Sequence, residues 1–263
     1  MPELQCVNRD HETPRLVADF YPPPRVGTVT DWTVEVYSVS DESERWLCHR
    51  QAAHRNYVRR GLEIVGQDLD AAGHRSPTFF AEAILDEAPI GGIRMHLPNL
   101  LGRLPIQDEL QGHVDCEQLA AFITDLVPEG IVHCGGLWID PEHRGSGLAG
   151  DLGRAFMPMI VAAKARWYIA TSHQYILNAW RSLGWQPVPA FSTFSYPDER
   201  YQTCVILGDV RRWPANLLAW AQKQAAGSTL RGKGPRIMIH PMRVSEDSIR
   251  NSARMTTPCT INI

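Results

Sequence analysis

The sequence predicts a mixed α/β domain, a central sheet flanked by helices, and three stretches predict it. Ile131 to Ala149 reads as a strand, a tight glycine loop and the start of a helix. Phe79 to Leu85 and Ile90 to Leu97 read as a hairpin joined by Asp86-Glu87-Ala88-Pro89. Arg166 to Thr171 reads as a further strand, followed by an apolar stripe of Ile176, Leu177, Trp180 and Leu183 in a helix over Tyr175–Leu183 that Gly184 closes.

The elements follow in order along 263 residues, enough for one large domain with appendages. Met1 to Asp31 is rich in proline and charge, with Pro22-Pro23-Pro24 late in the run, and is expected to be an extended lead-in. Trp32, Val34 and Val36 alternate with polar neighbours, the period of a half-buried strand. Asp41 to Leu62 reads as a helix capped by Ser40 or Asp41, with Trp46, Ala53, Tyr57 and Val58 on one side. After the hairpin, Leu104 to Leu110 reads as a short loop, and Cys116 to Leu126 as a helix burying Leu119, Phe122, Ile123 and Leu126.

The stretch from Ile131 organises the rest. Val132, Leu137, Trp138 and Ile139 are bulky or β-branched, and Gly135-Gly136 interrupts them, the mark of a bulge or of a close approach to the backbone. Asp140-Pro141 ends the strand because proline has no N–H for the ladder. A helix then follows in which Leu148, Leu152, Ala155, Phe156, Met159, Ile160 and Ala163 share a face, with Pro158 inside the pattern. Phe191–Tyr196 and Tyr201–Leu207 suggest a closing hairpin around Pro197-Asp198, and Pro214–Ala226 a helix. From Gly227 the periodicity fades and a loosely ordered basic tail is expected. The domain boundaries that result are a lead-in over 1–30, a core domain over 31–207 and an extension over 208–263.

Composition bounds the function. At 44% hydrophobic and 21% charged, this is ordinary globular composition. No run of 18 apolar residues and no basic-then-apolar start is present, so neither stable membrane insertion nor secretion is expected. Six cysteines without CxxC or metal spacing fit reduced thiols in a cytoplasmic protein and no metal site. The net charge of -3 is uneven: from Gln222 onward seven Lys/Arg face two acids, a net +5, which leaves -8 on the remainder. Such a tail could meet an acidic carrier protein or a phosphate, and nucleic acid is not an expected partner.

The helix that begins near Leu148 points its first N–H groups, which lack intrahelical partners, at whatever lies before it. With Gly145 and Gly147 bearing no side chains, the loop is a candidate diphosphate cradle. Gly145, Gly147 and Gly150 also fit GxGxxG, but no acidic residue follows at the end of a second strand to meet a ribose, and a Walker Gly-Lys-Ser/Thr is absent. Arg-x-x-Gly-x-Gly/Ala after a strand ending in Asp-Pro (Arg144, Gly147, Ala149) resembles the coenzyme-binding motif of the GNAT superfamily of N-acetyltransferases. Asn178 to Trp185, an aromatic followed by Gly-Trp, is similar to that superfamily's last helix. The resemblance implies a mostly antiparallel sheet, and donor contacts from Arg144, Gly145, Ser146, Gly147, Leu148 and Ala149.

The front half is similar to the long-chain N-acyl amino acid synthases, relatives of the acyl-homoserine-lactone synthases within that superfamily. The likeness spans roughly Glu44 to Pro189. It rests on Tyr57-x-x-x-Gly61, acids at Asp68 and Asp70, a return strand reading Gly92-Ile93-Arg94, and Leu104-Pro105-Ile106 with acids after it. This implies transfer of a fatty acyl group from acyl-CoA, or from the phosphopantetheine arm of an acyl carrier protein, to the amine of an amino acid, small molecule or peptide. An acetyl-CoA-dependent acetyltransferase and a silent acyl-CoA-binding module are the alternatives.

Acyl transfer needs a polarised carbonyl, a base for the amine and an exit for the thiolate. The resemblance assigns the first to the amides of Gly136 and Leu137. Matching Leu137 and Ile139 to the branch's strand puts His133 where it carries a glutamate, so His133 is the candidate base. Trp180 stands where a tyrosine often protonates the thiolate, which leaves Tyr175 as the candidate acid. Gly136 replaces an arginine and is expected to open space. Arg94 could fork onto an acceptor carboxylate, Arg59 and Arg60 could meet phosphate, and Cys134 reads as a buried structural thiol rather than a nucleophile.

Overall fold

A computed structural model describes residues 32–40, 42–62, 79–181, 183–227 and 237–239. The lead-in, Asp68, Asp70 and most of the basic tail lie outside these residues. The strands are β1 (Thr33–Ser38), β2 (Phe79–Leu85), β3 (Ala88–His96), β4 (Ile131–Ile139), β5 (Trp167–His173), β6 (Gln186–Pro187), β7 (Phe194–Ser195), β8 (Gln202–Asp209) and β9 (Ile237–Ile239). The helices are α1 (Ser43–Val58), α2 (Pro105–Glu109), α3 (Cys116–Leu126), α4 (Leu148–Ala162), α5 (Leu177–Arg181) and α6 (Ala215–Gly227). They surround a nine-stranded sheet ordered β6-β8-β5-β4-β3-β2-β1-β9, with β7 also on β8. Every pairing is antiparallel except β4 with β5.

Alternation along the strands sorts the core into two faces. Val34, Val36, Ala81, Ile93, Met95, Val132, Ala170 and Ile206 pack with α4 and α6. Their neighbours Ile131, Ile169 and Val205 join Ile106, Leu119 and Ile123 on the opposite face, under α2 and α3. The same face carries α1, through Trp46 on Tyr37 and Phe80, and through Ala53 and Tyr57 on Trp138.

The phase of this alternation changes once inside β4. Opposite β3 the register runs His96↔His133, Met95↔Cys134, Arg94↔Gly135, then Gly92↔Trp138, so β4 carries one residue more than its partner. The extra residue is the expected bulge, and Gly136 sits in it with φ +65°, a conformation glycine adopts without steric cost. Even-numbered Val132 and Cys134 therefore face α4 before the bulge, and odd-numbered Leu137 and Ile139 after it. The strand is pinned beyond the bulge by Trp138, whose Nε1 donates to Nε2 of buried His49 at 3.3 Å. An indole nitrogen only donates, so His49 carries its proton on Nδ1 and presents it to Glu82.

Several expected bounds shift. The β2–β3 connection is a two-residue turn, with Asp86 and Glu87 both at positive φ, rather than four residues. The segment 104–110 is not a loop: Pro105 opens helix α2, where a missing N–H costs nothing. Helix α1 begins at Ser43 after Glu42, which makes no side-chain cap hydrogen bond; the candidate cap Asp41 lies outside the described residues, and Val58 is exposed. The helix anticipated from Tyr175 is a tight turn over Gln174–Ile176 followed by a short α5. The hairpin strand anticipated over Phe191–Tyr196 is reduced to β7. The core also continues past Leu207: α6 packs on α4, Trp213 donates from Nε1 to the Tyr168 hydroxyl at 2.7 Å, and β9 extends the sheet along β1.

Candidate active site

Strands β4 and β5 pair only from Ile131↔Trp167 to His133↔Ile169. Beyond that point β4 stays with β3 and β5 stays with β8, so a gap opens through the sheet. A cavity of ≈ 160 Å³ fills the gap. Its walls come from both faces. Cys134, Phe156, Ala170, Trp180, Trp185 and Ile206 make an apolar end toward α4, and Tyr57, Arg94, Glu109, His173, Tyr196 and Thr203 a polar end toward α1 and α2. Bulge residues Gly136 and Leu137 line the waist between them. Tyr57 holds that waist, its hydroxyl donating to the Leu137 carbonyl at 3.1 Å, and burial raises the pKa of this phenol.

Arg94 lies on β3 with its stem across Gly136, where an added Cβ would stand 2.9 Å from Arg94 Cγ and Nε. The space expected from the missing arginine at Gly136 is therefore filled by Arg94. The residue is 8% exposed, and its Nε is buried without a hydrogen-bond partner among the described residues. Its Nη2 stands 3.6 Å from Oε1 of Glu109. Glu109, at the end of α2, is not among the site residues the sequence singled out. The signal that could have found it is the pair of acids, Asp108 and Glu109, that follows Leu104-Pro105-Ile106.

His133 is 1% exposed and does not line the cavity. It stacks on His96, and its Nε2 lies 3.8 Å from Oε2 of Glu109, a carboxylate that does line the cavity. Tyr175 likewise does not line the cavity; it stacks on His173, with ring centroids 5.5 Å apart. His173 was missed because β5 runs two residues past its expected end, into the gap. Thr203 gives its one hydroxyl proton to the Tyr196 carbonyl at 2.7 Å, so the 3.0 Å contact with His173 Nδ1 must be donated by the histidine. Burial first, and Arg60 second, lower the pKa of His173 to about 4, so it is a neutral Nδ1–H imidazole at neutral pH. Cys134 faces the apolar end, and burial raises its thiol pKa well above the ordinary value, which disfavours the thiolate a nucleophile requires.

The glycine loop lies at the start of α4. Gly147 is the N-cap with φ +92°, and among the described residues nothing stands within 4 Å of the Cβ it lacks. Gly150 and Asp151 fold their amides back onto the Gly147 carbonyl, and the amides of Leu148 and Ala149 are among the helix's orphan donors. Leu148 buries its side chain in the core, and Ser146 donates its hydroxyl to the His143 carbonyl at 2.6 Å, so both offer the loop backbone rather than side chains. Asp151 is turned away to Trp32 Nε1 and Arg154, which keeps its charge off the loop. Residues 144–149 do not line the cavity itself. Arg60 does, and its pKa is lowered by burial and then by Arg144, a repulsion between cavity-lining and loop guanidinium groups that a bound anion would relieve.

Among the described residues no group of three or more His, Cys, Asp or Glu could hold a metal ion, and no helix is long and apolar enough to cross a membrane.

No protein-family model matches the chain. Uncharacterized proteins of Mycobacterium tuberculosis and Mycobacterium bovis are 30% identical over 180 residues, 65% of this chain and 66% of theirs, so the chain spans just under two thirds of the curated relatives it matches. Among solved structures, a CoA-dependent acyl-homoserine lactone synthase with SAM and isopentyl-CoA aligns with TM-score 0.50 and 16% identity, over 78% of this chain and 95% of that one. The N-acyl amino acid synthase FeeM, from uncultured soil microbes, aligns with TM-score 0.51 and 15% identity, over 72% and 97%. The chain therefore has the GNAT acyltransferase fold, in the form shared by the branch its motifs resemble.

Proposed function

We propose that this protein is an N-acyltransferase that moves an acyl group from a thioester donor, acyl-CoA or acyl carrier protein, to the primary amine of an amino acid. The observation that carries the reading is the cavity that crosses the sheet where β4 and β5 part, lined in part by Phe156 of α4, the helix that the glycine loop opens. The donor's diphosphate rests on the amides of Leu148 and Ala149 beside Arg144 and Arg60, and its arm runs from there into the gap. The thioester carbonyl then lies at the bulge, where the Gly136 and Leu137 amides meet the oxygen as it becomes negative.

Two features refine the substrates. Phe156, Trp180, Trp185 and Ile206 give the end toward α4 an apolar lining that an acetyl group would leave unfilled, which favours a fatty acyl donor. On the other side, the unpartnered Arg94 Nε next to the Glu109 carboxylate offers one positive and one negative group, and a zwitterionic α-amino acid matches both. A small-molecule acetyltransferase is the second reading. The test is to offer acyl-CoA and acyl-carrier donors of several chain lengths with a pool of amines, following free thiol and the mass of the product. Turnover with long-chain donors and amino acids supports the proposal. Turnover with acetyl-CoA alone replaces it by the second reading.

A further inference from the structure

We propose that Glu109 takes the proton from the attacking amine, and that Arg94 and His133 position its carboxylate. This rests on the acyltransferase reading and names a catalytic group for it on an element, α2, outside the central strand. A general base must present an unengaged lone pair to the place where the amine arrives. Glu109 lines the polar end of the cavity and, among the described residues, accepts no hydrogen bond. Its two oxygens are nonetheless steered: Oε1 toward Arg94 Nη2 at 3.6 Å and Oε2 toward His133 Nε2 at 3.8 Å. Both separations exceed hydrogen-bonding distance, so the charge is held in place while its lone pairs stay available. His133 is 1% exposed and pinned by strand pairing and by stacking on His96, so it backs the carboxylate rather than meeting the substrate.

The step balances without any further reactant. The ammonium of the acceptor gives one proton to Glu109, and the freed nitrogen pair forms the C–N bond. The carbonyl oxygen, negative at that stage, faces the Gly136 and Leu137 amides. Its electrons then return to the carbonyl, the C–S bond breaks and its pair leaves on sulfur as thiolate. The second nitrogen proton neutralises that thiolate, and Glu109 releases the first to solvent.

The experiment compares full-length wild type with Glu109→Gln and His133→Gln, using whichever donor and amine the wild type turns over, and measures kcat, KM and CoA affinity from pH 6 to 9. Removing a general base typically costs on the order of 100-fold or more. Glu109→Gln is expected to lose that much in kcat/KM with CoA affinity unchanged. Its remaining rate should climb about tenfold per pH unit below the amine's own pKa, because the amine must then arrive already deprotonated. His133→Gln is expected to keep its KM for the donor and to lose kcat by a smaller factor than Glu109→Gln, the split that a positioning role gives. Glu109→Gln within threefold of wild type, or a loss whose pH profile runs parallel to wild type, overturns the inference alone. A wild type that releases no thiol from any donor overturns the acyltransferase reading and this inference with it.

Discussion

Arg94 occupies the volume that a side chain at Gly136 would need: a Cβ there would stand 2.9 Å from both Cγ and Nε of Arg94. The two residues lie on adjacent strands, one at a bulge and the other reaching over it, and the polar end of the cavity depends on the pair. Gly136→Ala should therefore do two things. It forces a non-glycine residue to φ +65°, costing about 1–2 kcal/mol of stability, and it pushes the guanidinium off the cavity wall. Denaturant titration reads the first, and an increase of about tenfold or more in KM for the acceptor reads the second. A variant with wild-type kinetics would separate Arg94 from acceptor binding.

Tyr57 fixes the other side of the same bulge. Tyr57→Phe removes one hydrogen bond to the Leu137 carbonyl and changes little else, so its stability cost should be about 1 kcal/mol. The carbonyl it holds is that of Leu137, one peptide plane beyond the Leu137 amide of the proposed oxyanion site, so loosening it should lower kcat several-fold while donor KM stays constant. A change confined to donor KM would place Tyr57 on the donor path instead.

The glycine loop gives a charge test. Among the described residues nothing stands near the Cβ that Gly147 lacks, so Gly147→Asn and Gly147→Asp should cost the fold similar amounts, since both side chains tolerate the left-handed conformation. They differ by one negative charge at the proposed diphosphate site. Calorimetric titration with CoA should show binding weakened about tenfold or more in Gly147→Asp relative to Gly147→Asn. Equal affinities would remove the diphosphate from this loop.

Acid should destabilise the protein through His173. Its folded pKa, about 4, lies below the value of 6.5 for an unperturbed histidine, so the unfolded chain binds more protons between those values and stability rises with pH there. The contribution is complete above about pH 6.5 and is lost as pH falls toward 4, by at most about 3 kcal/mol. His49, whose pKa burial lowers, acts in the same direction. Urea midpoints from pH 4 to 7 should rise with pH in wild type and rise less in His173→Gln.

Local pattern made much of this legible. Strand β4 and helix α3 begin and end where hydrophobic period and turn residues place them, and the paired glycines foretold a bulge that the φ of Gly136 bears out. What escaped was set at long range. Nothing near Glu109 says that α2 will turn it toward Arg94 and His133, residues that reach it only through strand pairing. His173 enters the cavity because β8 carries β5 two residues farther, through the Thr203 pairing, than the local sequence suggests. Strand β9 exists through pairing with β1, some two hundred residues earlier, and no periodicity around Gly234 and Pro235 announces it. Tyr175 had the right chemistry on paper, but a tight turn in place of a helix stacks it behind His173.

The central claim is that an acyl thioester and an amine meet through the gap between β4 and β5. The most direct measurement is the structure of the protein with a long-chain acyl-CoA bound. The account predicts the diphosphate on the amides of Leu148 and Ala149, the thioester carbonyl beside Gly136 and Leu137, and the acyl chain among Phe156, Trp180 and Trp185. A donor bound elsewhere, with the gap still closed to it, would contradict the account.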